Sequence, residues 1–177
     1  MKLDLTEERY RFDFPKAKEL YKFDERDSLS PTFHGAPMKA VDVMAVFDNF
    51  QLWIEIKGYT DEDIQQLKNE RDQRKPGDEY HIKDYLVKNF KGKFRDTFLY
   101  RYCEDMISKP IIYICLTNFD DAENNYFKKE LKRQVPGGKA NKKRWIKELI
   151  PQDKIFVVNE STWKRNFQDK FGTCISY

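Results

Sequence analysis

Two neighbouring stretches of the chain have the apolar pattern of β-strands. Residues 38–47 and 50–59 are rich in valine, isoleucine and aromatic side chains, and Asp48 and Asn49 between them favour a tight turn. A third run, residues 110–116, is almost continuously apolar, which is typical of a strand buried on both faces of a sheet. The pattern therefore predicts an antiparallel hairpin and a buried strand in one sheet.

Helical patterns surround these strands. Pro15 suits the first position of a helix over residues 15–24, and Thr60 is an expected N-cap of a helix that ends near Arg71, before a break at residues 75–78. Further helices are predicted over residues 79–90, 93–107 (with Gly92 as the junction), 122–134, 141–149 and 161–167, and a short strand over residues 154–158. This order predicts an α/β sandwich in which helices flank a central mixed sheet.

Composition and charge exclude several classes of protein. The 177 residues suffice for one domain, and an aromatic content of 15% argues against disorder. The net charge of +3 is the small difference between 33 basic and 30 acidic residues, so charge alone does not indicate a nucleic-acid partner. Three widely spaced cysteines indicate a reducing compartment, and no apolar run is long enough to span a membrane. We therefore expect a cytoplasmic protein.

Charged residues interrupt the two strands of the predicted hairpin. Glu55 and Lys57 lie on one face of the second strand, about 7 Å apart by the standard rise, and the hairpin brings Asp42 close to them. Carboxylates suit Mg²⁺ or Mn²⁺, and the carbonyl of Ile56 is a candidate further ligand. Lys57 could orient a water molecule and stabilise charge on a phosphate. The combination predicts hydrolysis of a phosphodiester bond.

An acid-x-lysine triplet is weak as a motif. A second one, Glu130-Leu131-Lys132, lies in a predicted helix, where a solvated face is the simpler interpretation. For the first triplet, the alternative interpretation is an ordinary surface ion pair. Its position within an apolar strand, after another strand with an embedded acid, favours the interpretation as a site.

Asp42, followed by Glu55-Ile56-Lys57-Gly58-Tyr59, resembles the PD-(D/E)XK nuclease superfamily. The resemblance implies a restriction-endonuclease-like core of a helix, three strands, a helix and a fourth strand over about residues 15–118. Residues 119–177 would extend this core within a single domain, 1–177. Asp42, Glu55 and Lys57 would be catalytic, with an additional metal-binding acid on the first helix, for which Glu19 is the candidate and Glu25 the alternative. Val41, where the family motif has proline, is the one departure.

Basic residues cluster in two places. The stretch over residues 132–147 has no acid, and we expect four of its side chains to bind nucleic acid: Lys139, Lys142, Lys143 and Arg144. A solvated basic face is the alternative. A second cluster, in which one member could neutralise the scissile phosphate, consists of Lys88, Lys91, Lys93, Arg95 and Arg101.

These observations together predict a Mg²⁺-dependent DNA endonuclease. Cutting both strands of a duplex with one site per chain would favour a homodimer. Two alternatives stay open, because fold does not determine function. One is a nuclease-like fold that binds nucleic acid without cutting it, and the other is a module that binds a protein partner.

Overall fold

A computed structural model describes residues 1–33, 35, 37–59, 82–135 and 148–177, which form a mixed α/β fold. In chain order the elements are β1 (Lys2–Leu5), β2 (Tyr10–Asp13), β3 (Glu19–Lys22), β4 (Val43–Val46), β5 (Gln51–Lys57), α1 (Ile82–Cys103), β6 (Ile111–Thr117), α2 (Asp121–Gln134), a 3₁₀ turn (Gln152–Lys154), β7 (Ile155–Val158), α3 (Glu160–Asn166), α4 (Gln168–Phe171) and β8 (Thr173–Ser176). The predicted helix after Thr60, the break at residues 75–78 and most of the predicted helix over 141–149 lie outside the described residues. None of the helices in the described ranges has the length and apolar character needed to cross a lipid bilayer.

The larger sheet has five strands in the order β3-β4-β5-β6-β7. β3, β4 and β5 are antiparallel neighbours, whereas β5, β6 and β7 run parallel. The hairpin between β4 and β5 turns at Asp48 and Asn49, where the Phe47 N–H donates to the Phe50 carbonyl at 2.9 Å. α1 and α2 lie in the crossover connections that parallel strands need. The predicted mixed sheet and its hairpin are therefore confirmed.

The prediction of a helix over residues 15–24 is wrong, because this segment contains strand β3. Its apolar side chains do not share one side: Leu20 lies in the core on one face of the sheet, and Tyr21 packs against the core on the other. β3 pairs with the free edge of β4, and just beyond it the Phe23 N–H donates to the Asp42 carbonyl at 2.8 Å. A short run of apolar residues is compatible with a strand that is buried on both faces and also with one face of a helix. In this segment the pairing with β4 favours the strand over the helix.

Two further predictions were wrong in their boundaries. α1 continues through Gly92, where two helices were expected. β4 begins only at Val43, because the backbone leaves the ladder before it: the Val41 N–H donates to Thr97 Oγ1 on α1 at 2.9 Å. Val41 consequently packs in the same core as Met44, on the opposite face from the one that strict alternation predicts.

Two cores cover the two faces of the five-stranded sheet. On one face α1 and α2 pack over Trp53 and Tyr113. On the other face a second sheet packs over Ile54 together with α3 and α4, which contribute Trp163 and Phe171. β6 alternates between the two cores, so its predicted burial on both faces is confirmed.

The second sheet, which was not predicted, has three antiparallel strands in the order β1-β2-β8. It joins the N-terminal residues to the last strand of the chain. Gly172 leads into β8 with a φ of 122°, and a Cβ at this position would overlap the carbonyl oxygen of Asp13. Helices α3 and α4 do lie on this face of the central sheet, as expected, but the three-stranded sheet covers it together with them.

Candidate active site

Asp42 is fixed where β4 separates from β5. The last residue pair of this ladder is Val43 with Ile54, so the N–H of Ile56 has no carbonyl partner from β4. The Asp42 side chain takes the place of that partner, and its Oδ2 accepts the Ile56 N–H at 2.6 Å. The Oδ2 atom thereby fixes the orientation of the Asp42 side chain, and its Oδ1 atom faces the charged residues nearby.

Glu55 is the most unusual group of this site. Its side chain is 0% exposed, and neither carboxylate oxygen has a hydrogen bond. Its ion-pair partners are Lys93 at 3.4 Å and Lys57 at 3.9 Å, both distances longer than a good hydrogen bond. Burial and the nearby charge of Asp42 raise the pKa of Glu55 well above its usual value, against the opposing effect of the two lysines. Such a costly arrangement is typical of functional sites.

Lys93 of α1 places its ammonium group among three carboxylates. Its Nζ lies 2.9 Å from Asp24 Oδ2, 3.5 Å from Asp42 Oδ1 and 3.4 Å from Glu55 Oε2, and the side chain is 11% exposed. Burial by itself would lower the pKa of Lys93, but the charges of Glu55 and Asp42 and the contact with Asp24 outweigh burial and raise it. The ammonium therefore stays charged.

Lys57 is the accessible cation of the site. It ends β5, two residues after Glu55 and on the same face, and its side chain is 30% exposed. The expected convergence of Asp42, Glu55 and Lys57 is thus present: Lys57 and Lys93 contact the two oxygens of Glu55, and Asp42 faces Lys93.

The third acid of the site is Asp24, and not Glu19 or Glu25. Glu19 pairs with Val46, four residues from Asp42 along the chain, or about 13 Å by the standard rise. The Glu25 carboxylate accepts the neighbouring backbone N–H groups of residues 26 and 27. Asp24 reaches the site because β3 runs antiparallel to β4 and ends beside Asp42. Neither sequence candidate for the additional acid therefore lies at this position.

Lys93 had a signal in the sequence. Phe90, Lys93, Phe94 and Thr97 follow the spacing of one helix face, and the other three side chains are buried. A lysine within an apolar face indicates an acidic partner across the interface. Asp24 had no comparable signal, because its position depends on β3 being a strand.

The four residues expected to bind nucleic acid, Lys139, Lys142, Lys143 and Arg144, lie outside the described residues. Of the second basic cluster, only Lys93 contacts the acids of the site in the ion pairs of the described chain. Arg101 is turned away from them: its guanidinium pairs with Glu104 at 2.8 Å and lies over the ring of Phe23.

The donors of the site suit a hard divalent cation. Within the described ranges no three histidine, cysteine or acidic side chains form a group that could hold a metal ion, so the candidate donors that remain are two carboxylates, Asp42 and Glu55. Mg²⁺ is often held by one or two carboxylates and keeps several waters. The Glu55 oxygens lack hydrogen bonds and Asp42 Oδ1 is not used by Ile56, so among the described residues these oxygens face only the ammonium groups of Lys93 and Lys57 at ion-pair distance. The Ile56 carbonyl as a ligand stays a prediction.

Comparison with family models, with curated proteins and with solved structures yields no match to this chain. The geometry of the site and the resemblance of its motif are therefore the observations on which a function can be argued.

Proposed function

We propose that this chain is a metal-dependent nuclease that hydrolyses phosphodiester bonds, with DNA as its first candidate substrate. The observation that supports this most is the buried Glu55 carboxylate, which lacks hydrogen bonds and lies beside Asp42 between two lysines. A stable core does not need such a group, because burying a charge without full compensation costs several kcal/mol. The antiparallel β3-β4-β5 unit, α1 and the parallel β6 are compatible with the three strands, helix and fourth strand of a restriction-endonuclease-like core, but no helix precedes β3 in the described residues.

Each residue has a distinct role in this proposal. Asp42 and Glu55 would hold Mg²⁺ or Mn²⁺, which when bound would supply Lewis-acid polarisation of the phosphate and activation of water. Lys57, the exposed cation at the end of β5, orients the attacking water and stabilises the negative charge that develops on the phosphate. The hydrogen bond from the backbone N–H of Ile56 holds the Asp42 carboxylate in one orientation.

The basic stretch around Lys139 and Lys142 is proposed to hold the phosphate backbone of the substrate. Cleavage of both strands of a duplex would require two active sites, and each chain has one. We therefore propose a homodimer.

The decisive experiment incubates the protein with supercoiled, linear and single-stranded DNA and with RNA, in Mg²⁺, Mn²⁺ or EDTA. Metal-dependent cleavage is expected, with loss in Glu55→Gln and in Lys57→Met. Circular dichroism of each variant shows whether its fold is retained. Cleavage that survives both substitutions contradicts the site assignment.

One observation favours a second candidate, a module of similar fold that binds nucleic acid or a protein without cutting. Lys93 already neutralises part of the charge of Asp42 and Glu55, as in a structural ion-pair network. Retained DNA binding without cleavage in any metal would support the first form of this candidate. Absence of both DNA binding and cleavage in the wild-type chain would support the second form, in which the partner is a protein.

A further inference from the structure

The position of the Lys93 ammonium has a consequence for how a cation enters the site. Nζ lies within 3.5 Å of both Asp42 Oδ1 and Glu55 Oε2, one oxygen from each of the two carboxylates proposed to hold the metal. A divalent cation held by the same two carboxylates would occupy nearly the same position. An ammonium group and a metal ion cannot share that position, because both are cations and both need the same oxygens.

We propose that Lys93 occupies the cation position of this site in the absence of metal, so that a divalent ion binds only when the ammonium moves aside toward Asp24. The inference rests on the proposed function, since it assumes that Asp42 and Glu55 are the metal ligands. It makes Lys93 a positioning residue that sets the affinity for metal.

Asp24 is suited to receive the displaced ammonium. Its contact with Lys93, at 2.9 Å, is the shortest of the three, against 3.4 Å to Glu55 and 3.5 Å to Asp42. Its side chain is 26% exposed, whereas that of Asp42 is 11% exposed and that of Glu55 is fully buried. A small rotation of the Lys93 side chain about this hydrogen bond therefore moves its ammonium group out of the site. The Asp24 carboxylate continues to compensate the charge of the ammonium during this movement.

The backbone around Lys93 is held in place, so the movement belongs to the side chain. One turn further along α1, Thr97 accepts the Val41 N–H, and the flanking Phe90 and Phe94 are fully buried. The stem of a lysine has four rotatable bonds, which allows its ammonium to change partners without a change in the helix.

The test measures metal binding without nucleic acid. Mn²⁺ is titrated calorimetrically into the wild-type chain and into Lys93→Met, which removes the charge and keeps the length. Lys129→Met, at an exposed position of α2, is the matched control. We expect the Kd for Mn²⁺ to fall by about tenfold or more in Lys93→Met and to change by less than about twofold in the control. An equal or weaker affinity in Lys93→Met overturns the proposal.

A second measurement covers the case in which Lys93→Met folds poorly without metal, since it leaves two acids unpaired. The thermal midpoint of Lys93→Met and of Lys93→Gln is compared in EDTA and in Mn²⁺. The proposal requires a larger rise on adding Mn²⁺ in these variants than in the wild-type chain, and an equal or smaller rise contradicts it.

The role of Asp24 is tested in the double variant Lys93→Met with Asp24→Asn. If Asp24 only receives the ammonium, Asp24→Asn weakens Mn²⁺ binding in the wild-type chain and has no effect once Lys93 is absent. A loss of affinity in both backgrounds would make Asp24 a metal ligand and would overturn its role as the receiving group. Metal-dependent cleavage with unchanged affinity in Lys93→Met would refute the inference alone, whereas absence of metal binding and cleavage in every variant would refute the proposed function as well.

Discussion

Two acid-x-lysine triplets occur in this chain, and the structure gives them opposite environments. In Glu55-Ile56-Lys57 the acid is fully buried in β5 and has no hydrogen bond. In Glu130-Leu131-Lys132, on α2, the acid is partly exposed and pairs with Arg133 at 2.9 Å. The two triplets have the same charges in the same order, so their difference comes from the element that contains each of them and from the residues that cover it.

The reason is the periodicity of the two elements. Residues two apart lie on one face of a strand but diverge around a helix, where neighbours are three or four apart. Glu55 and Lys57 therefore both face the site, whereas Glu130 turns to Arg133 and only the central Leu131 enters the core. A charge motif thus has functional meaning only together with its secondary structure and burial.

The largest expected difference between the two triplets is in catalysis. Glu55→Gln and Lys57→Met should reduce the cleavage rate by about 10²- to 10⁴-fold, because in the proposed function Glu55 holds the metal ion and Lys57 stabilises charge on the phosphate. Glu130→Gln should stay within about twofold of the wild-type rate. Single-turnover cleavage of labelled DNA measures all three variants, and an equal loss in Glu130→Gln would show that the comparison is mistaken.

The central residues should behave alike. Ile56 and Leu131 are both buried, one in each core, and truncation leaves a cavity in either case. We expect Ile56→Ala and Leu131→Ala each to lower the free energy of unfolding by about 2 to 5 kcal/mol. Denaturant titration in EDTA measures this, and a cost below about 1 kcal/mol for either residue would argue against its burial.

The two acids should have opposite effects on stability. Glu55→Gln removes a buried charge and should raise the free energy of unfolding by about 1 to 3 kcal/mol at pH 7 in EDTA. Glu130→Gln should lower it by less than about 1 kcal/mol, since it removes a partly exposed ion pair. A destabilising Glu55→Gln would mean that the lysines compensate Glu55 fully.

The effect of Glu55 on stability should depend on pH. Its pKa is higher in the folded chain than in the unfolded one, so the folded state binds the proton more tightly and its stability falls as the pH rises above the unfolded value. The stability advantage of Glu55→Gln in EDTA should therefore be small near pH 4 and grow toward neutral pH. Denaturant titrations at several pH values measure this advantage, and a constant one would contradict the raised pKa.

The smallest effect concerns the pair between Glu130 and Arg133. Arg133 is largely exposed, and we expect Arg133→Ala to cost about 0.3 to 0.5 kcal/mol at low salt. The cost should vanish near about 1 M salt, where exposed charges are screened. Denaturation at low and high salt tests this, and a cost that is independent of salt would indicate lost packing of the arginine stem instead.

Local patterns predicted the parts of the fold whose signals lie within a few residues. The turn at Asp48 and Asn49, the doubly buried β6 and the helix α2 are of this kind. β3 was mistaken for a helix because its apolar residues fit the period of a helix as well as that of a strand. The small sheet was missed because its third strand, β8, comes from the far end of the chain. Pairings between distant segments have no local signature.

The sequence by itself determined that Glu55 and Lys57 share a face and that a hairpin brings Asp42 to them, because the period of a strand and the position of a turn are local properties. Tertiary structure decided the rest of the site. Lys93 arrives from α1 and Asp24 from the end of β3, and only the packing of both against β4 and β5 places an ammonium between the two buried acids. The environment of a charge depends on what covers it, and in this chain the covering residues are distant in sequence.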